Sequence, residues 1–184
     1  MLLDTPLCDF GWKAPDFTLA DADGVVHAMS GHLGARGLLV AFLCNHCPYV
    51  QAIAARLAAD TRTLMDEGVG VLAVMSNDYR SVPSDSPAAM KAFAARHGFA
   101  FPYLVDEDQA VGKAWGAVCT PDFFGLNAQG ELQYRGRLDD VGMGARGGGG
   151  GRTPELLDAM RLIAATGAGR RAQTASMGCS IKWR

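Results

Sequence analysis

Cys44 and Cys47 stand two residues apart, where an unbroken apolar run, Leu38-Leu39-Val40-Ala41-Phe42-Leu43, gives way to Asn45-His46 and then Pro48. Two thiols at this spacing suit thiol–disulfide exchange: one attacks a disulfide and the other resolves the mixed disulfide. The same spacing also supplies two of the four ligands of a tetrahedral zinc site. The chain has five cysteines, Cys8, Cys44, Cys47, Cys119 and Cys179, and no second close pair to complete such a site. Redox chemistry is therefore the stronger reading, with no metal and no organic cofactor expected. The residues after the pair carry a helical period, and a helix N-terminus stabilises a thiolate through its free N–H groups and dipole. This predicts Cys44 as the more exposed nucleophile at the helix start, with Cys47 as a resolving thiol one turn inside. His46 adjoins both sulfurs, and a ring N–H or imidazolium reaching Cys44 would lower its pKa. His27, His32 and His97 stand alone and read as ordinary surface or capping residues.

The elements around the pair follow from pattern. The 38–43 run is short and continuously apolar, as in a strand buried on both faces. Val50, Ile53, Ala54, Leu57, Ala58, Thr61, Leu64 and Met65 then recur at helical spacing, with Gln51, Arg56, Asp60, Arg62 and Asp66 on the other side. Residues 69–75 form a second apolar strand, so the three make a right-handed βαβ unit. Upstream, the Asp23-Gly24 turn between two short apolar runs predicts a hairpin, and residues 1–13 read as an irregular lead-in. Downstream, Ser86-Pro87 opens a helix that ends at Gly98. Tyr103-Leu104-Val105 is a short strand, and 106–115 a short helix with Val111, Ala114 and Trp115 turned inward.

Val118-Cys119-Thr120-Pro121 leads into an antiparallel hairpin, 123–127 and 131–138, whose second strand alternates and leaves Gln133, Arg135 and Arg137 on a wet face. Residues 142–151 are a glycine-rich loop without the lysine and Ser/Thr spacing of a phosphate cradle, and read as a mobile linker. A last helix carries Leu156, Leu157, Met160, Ile163 and Ala164, and the tail from 167 shows no strong period. Within that tail, Cys179 is a possible additional redox thiol, which Ile181 and Trp183 would anchor beside the site. Cys119 reads as a buried inert thiol, and Cys8 as structural or incidental.

With 184 residues, 49% hydrophobic composition and a net charge of −2, the chain reads as one domain, 1–184, with its own core. It has no basic stripe for nucleic acid and no apolar run of membrane-span length. The N-terminus lacks the basic start of a signal peptide, so a cytoplasmic location is expected.

The element order resembles the thioredoxin fold, an α/β fold with a central mixed sheet flanked by helices. Three motifs sharpen the resemblance. Ala14-Pro15-Asp16-Phe17-Thr18-Leu19 with Asp23-Gly24 resembles the N-terminal hairpin of the redoxin branch, shared by TlpA-like thioredoxins and peroxiredoxins. Cys44-Asn45-His46-Cys47-Pro48 matches the active-site position, and Thr120-Pro121 is similar to the cis-proline loop facing it. The resemblance implies that Pro121 keeps the backbone before it extended and available to a substrate peptide. It covers about residues 14–166, and the Cys-Asn-His-Cys-Pro-Tyr-Val wording with the Gly-Cys-x-Ile-Lys-Trp ending resembles a bacterial subgroup. The chain departs from thioredoxin in having Leu43 before the first cysteine and Asn45-His46 between the pair. The peroxiredoxin pattern Pro-x-x-x-Thr-x-x-Cys fits neither cysteine. The expected activity is dithiol–disulfide exchange on protein or low-molecular-weight disulfides, reset by a separate reductant or oxidant. A thiol peroxidase using Cys44 and a non-enzymatic metal-binding module are the alternatives.

Overall fold

The computed structural model describes residues 1–144 and 151–184. The apolar run before Cys44 is strand β4 (Leu38–Phe42), with parallel β5 (Gly70–Met75) on one side and antiparallel β8 (Asp122–Leu126) on the other. The remaining strands are β1 (Leu2–Asp4), β2 (Thr18–Asp21), β3 (Val26–Ala28), β6 (Tyr103–Val105), β7 (Cys119–Thr120), β9 (Leu132–Tyr134) and β10 (Met177–Ser180). The helices are α1 (Met29–His32), α2 (Pro48–Asp66), α3 (Pro87–His97), α4 (Ala110–Ala114) and α5 (Glu155–Thr166). One seven-stranded mixed sheet runs β3-β2-β6-β5-β4-β8-β9, and a second sheet runs β1-β10-β7. This is the thioredoxin-like architecture that the motifs implied.

The continuous apolar character of β4 is explained by burial on both faces. Leu39 and Ala41 face Ile53, Leu57, Leu156 and Met160 of the helices, while Leu38, Val40 and Phe42 pack with Phe17, Trp115 and Phe124 on the other side. On α2 the expected stripe is buried from Val50 to Leu64, and each leucine on it contributes about 2 kcal/mol by leaving water. Asp60 was expected on the wet side but is buried, in an ion pair with Arg152. Ser86 caps α3 through the Ala89 N–H, and Gly98 ends it in the left-handed region at φ +70°.

Three expectations change. The lead-in is not irregular, and the tail without a period carries a strand: β1 and β10 pair antiparallel, Leu2 opposite Cys179, and β10 also pairs with β7. The second strand of the late hairpin stops at Tyr134, because Arg135 turns inward to the buried Asp122 carboxylate instead of lying on a wet face. Ala114 is exposed, while Gly112 is buried against Ser76 and Trp183. Residues 145–150 of the glycine-rich loop lie outside the described residues.

Candidate active site

The helix after the pair begins at Pro48, and Cys47 is its N-cap, with its carbonyl accepting the Gln51 N–H at 3.0 Å. Pro48 explains this start: its fixed φ suits the first helical position, and its missing N–H would be unpaired there anyway. This changes the expected placement of the pair. Cys47 occupies the helix terminus, and Cys44 lies in the loop before it. Cys44 is not exposed either, since the two residues are 1% and 0% accessible.

Cys47 Sγ is the meeting point of the site. The groups around it that favour its ionised form are the Cys44 thiol first, then the Val50 and Cys179 backbone amides and the Cys179 thiol. These donors, the Cys44 thiol foremost, pull the Cys47 pKa down to about 4 against the cost of burial. Cys44 moves the other way, raised by its bond to the Cys47 sulfur, by burial and by the Asp85 carboxylate. The two sulfurs titrate as one pair, in which the surroundings of Cys47 favour the thiolate and those of Cys44 the thiol. Cys47 Sγ also lies 3.2 Å from the Thr120 carbonyl, a contact that serves only its protonated form. Thr120 Oγ1 lies 3.0 Å from Cys44 Sγ, so Thr120 touches both thiols, and the bond from Thr120 to Pro121 is cis.

The loop between the cysteines is held by a residue that the sequence did not single out. Asp85 is fully buried on a 3-10 turn (Pro83–Asp85). Its Oδ1 accepts the Asn45 and His46 backbone N–H groups at 2.7 and 3.2 Å, and its Oδ2 accepts Asn77 Nδ2 at 2.8 Å. His46 Nδ1 sits 2.6 Å from the same Oδ2. The ring is therefore committed to Asp85, and Cys44 rises rather than falls, contrary to the expected effect of His46. Tyr103 donates to Asn45 Oδ1, and Gln51 to the Asn45 carbonyl. Nothing local in Ser84-Asp85-Ser86 announces this role, because a serine or aspartate before a proline reads as helix capping.

Cys44, His46 and Asp85 also bring one potential ligand atom each within 4.8 Å of one another. The Asp85 oxygens are already taken up by four donors, so the cluster reads as a loop clamp. Cys119 is fully buried and pushed up to about 12 by burial, in keeping with an inert thiol. Burial likewise raises Cys8 to about 11.

The backbone at Thr120 is extended, but its edge is not free for a substrate peptide. β10 occupies it, Cys179 opposite Thr120 and Ser180 opposite Cys119. Ser176 Oγ donates to the Pro121 carbonyl, and the Lys182 N–H to Asn77 Oδ1, the same Asn77 that holds Asp85. Ile181 is buried as expected, whereas Trp183 stays 39% exposed. Gly178 makes the approach possible, since a Cβ there would lie 1.9 Å from the Thr120 carbonyl oxygen. Gly178→Ala is accordingly expected to lift β10 from β7 at a cost of about 2 kcal/mol. Thermal unfolding should show the loss, with faster alkylation of Cys179. Beside the site, a cleft of about 570 Å³ opens between Tyr49, Ile53, Pro121, Leu138 and Met177.

With this geometry in view, the comparisons decide the family. The Redoxin family matches residues 10–144. The chain belongs to that family. A Mycobacterium tuberculosis protein named as a peroxiredoxin is 28% identical over 132 residues, 72% of this chain and 79% of that protein. The crystal structure of an uncharacterised conserved protein from Geobacillus kaustophilus is 35% identical, with a TM-score of 0.91 over 100% of this chain and 97% of that one. A secreted disulfide oxidoreductase of Mycobacterium tuberculosis shares the fold at 19% identity and a TM-score of 0.55, over 64% of this chain and 80% of that one. This redoxin thus carries its free thiols on a thioredoxin-like fold that supports oxidoreductase chemistry. Among the described residues no helix is long and apolar enough to cross a membrane.

Proposed function

We propose that this redoxin is a thiol–disulfide oxidoreductase in which Cys47 is the nucleophile and Cys44 the resolving thiol, the reverse of the order expected from spacing. The observation that carries this reading is the place of Cys47 at the N-cap of α2, where the helix dipole and the neighbouring Cys44 and Cys179 thiols favour its ionised form. The Cys47 thiolate attacks one sulfur of R–S–S–R and releases RS⁻. Cys44 then attacks Cys47 of the mixed disulfide and expels the second RS⁻, leaving a Cys44–Cys47 disulfide and two equivalents of thiol. Asp85 holds the loop between the two sulfurs, and its carboxylate keeps the Cys44 proton in place until resolution requires it. Because β10 takes the Thr120 edge, low-molecular-weight disulfides suit the site better than extended protein segments.

A second reading has one specific support, the deep burial of a low-pKa thiolate beside a second thiol. A hydroperoxide ROOH would convert Cys47 to its sulfenic acid with release of ROH, and Cys44 would condense with it to the same disulfide and water. The peroxidatic residue would then be Cys47 rather than Cys44. Equilibration in glutathione redox buffers, alkylation and peptide mapping test the first reading. Cys44 and Cys47 are expected to titrate together as a two-electron pair, and independent titration overturns it. Consumption of hydrogen peroxide much faster than by free cysteine would select the peroxidase.

A further inference from the structure

Three thiols meet at this site, and they differ in access. Cys44 and Cys47 are 1% and 0% accessible, whereas Cys179 on β10 is partly exposed. Cys179 is not merely nearby. Its strand register places it opposite Thr120, whose carbonyl lies 3.2 Å from Cys47 Sγ, it packs on the same core cluster as the pair, and its thiol lies near enough to Cys47 for each to shift the other's ionisation. The strand that presents it is held at several points: Thr5 N–H to Ser176, Ser180 N–H to Met1, Ile181 N–H to Val118 and Lys182 N–H to Asn77. Gly178 allows the close approach that brings the next residue onto the site.

We propose that Cys179 is the outlet thiol of the site, moving the disulfide from the more deeply buried Cys44–Cys47 pair to a Cys47–Cys179 pair that an external dithiol reaches more readily from solvent. The proposal rests on the reading of Cys44 and Cys47 as a dithiol pair. In the first step the Cys179 thiolate attacks Cys47 Sγ of the Cys44–Cys47 disulfide. The S–S bond to Cys44 breaks, the new S–S bond forms, and Cys44 takes up the proton that Cys179 gave up; no net oxidation occurs. In the second step a thiolate of a dithiol reductant attacks Cys179 Sγ and expels Cys47 as thiolate. The reductant's second thiol then releases Cys179 and leaves as a cyclic disulfide, two electrons having entered the protein. Cys47 is suited to be the leaving sulfur at that step, since the donors around it favour its ionised form, and lower-pKa thiols leave faster. Burial raises Cys179 to about 11, which makes its attack on Cys47 the slow step of the relay.

The test uses the full chain. Wild type is partly oxidised with oxidised glutathione, quenched in acid, alkylated and peptide-mapped, and both Cys44–Cys47 and Cys47–Cys179 links are expected. In Cys44→Ser, Cys47 and Cys179 are expected to titrate as a two-electron pair; recovery of only glutathione adducts on Cys47 overturns the proposal. Oxidised Cys179→Ser is expected to be reduced by dithiothreitol about tenfold more slowly than oxidised wild type, because the route through the exposed sulfur is gone. Equal rates overturn it. Cys179→Ala repeats this arm, and thermal unfolding of both variants separates a folding defect from a lost relay. Absence of the Cys44–Cys47 link in wild type and in Cys179→Ser would sink the parent reading, an outcome distinct from loss of the Cys47–Cys179 link alone.

Discussion

Cys47→Ser is expected to abolish reaction with a chromogenic aromatic disulfide, by on the order of a thousandfold, because it removes the sulfur that carries the negative charge. Cys44→Ser is expected to keep the first attack. The double variant Cys44→Ser/Cys179→Ser should stop there, accumulating one mixed disulfide on Cys47, since both sulfurs beside Cys47 are then gone. Stopped-flow release of the coloured thiolate, with mass analysis of the adduct, reads both. If Cys44 were the nucleophile, the two single variants would exchange behaviour. The pH dependence follows from the same charge. The Cys47 pKa falls from an ordinary 9.0 to about 4, so the reactive thiolate is fully populated above that value. First-attack rates should therefore stay level from neutral pH down to about pH 5 and fall below about pH 4. A drop beginning near pH 8 would mean that Cys47 is an ordinary thiol.

Asp85→Ala is expected to produce the largest loss of stability. The substitution orphans the Asn45 and His46 N–H groups and Asn77 Nδ2, all pointed into a buried space, and frees the His46 ring. Buried donors left without partners cost about 1–3 kcal/mol each, partly relieved by water, so a total of about 3 kcal/mol is expected. For a chain of this size that corresponds to a Tm lower by roughly 6–12 °C. Asp85→Asn separates charge from shape. Its carbonyl oxygen still accepts the two backbone N–H groups, while its amide faces the Asn77 amide, donor against donor. It also removes the negative charge that helps to keep Cys44 protonated, so the Cys44 pKa should fall and its proton should be held less firmly. Urea unfolding measures the first effect, and thiolate absorbance in the ultraviolet as a function of pH measures the second. An Asp85→Ala variant as stable as wild type, with the same thiolate titration, would remove Asp85 from the site.

What the amino-acid sequence determined by itself is everything that rests on local period and local backbone chemistry. The two-sided burial of β4 is visible in six consecutive apolar residues. The buried face of α2 is visible in the spacing from Val50 to Leu64, and the end of α3 in Gly98. The position of the cysteine pair between strand and helix, and of Thr120-Pro121 ahead of the next strand, was legible for the same reason. The order of the pair was not. Spacing placed Cys44 at the helix start, but Pro48 fixes the first helical turn one residue after Cys47, and besides Cys44 a group that favours the Cys47 thiolate is Cys179, more than 130 residues away.

Tertiary structure alone decided the rest. The β1-β10-β7 sheet joins residues near both ends of the chain to the cis-proline loop, and strands of two to four residues carry too few positions to show an alternating period. Asp85 reaches Asn45 and His46 across about 40 residues of sequence, and a buried carboxylate is spelled the same way as an exposed one. Local pattern records which face of an element avoids water. It does not record which distant element covers that face, because that choice is made by burial and donor–acceptor matching summed over the whole chain.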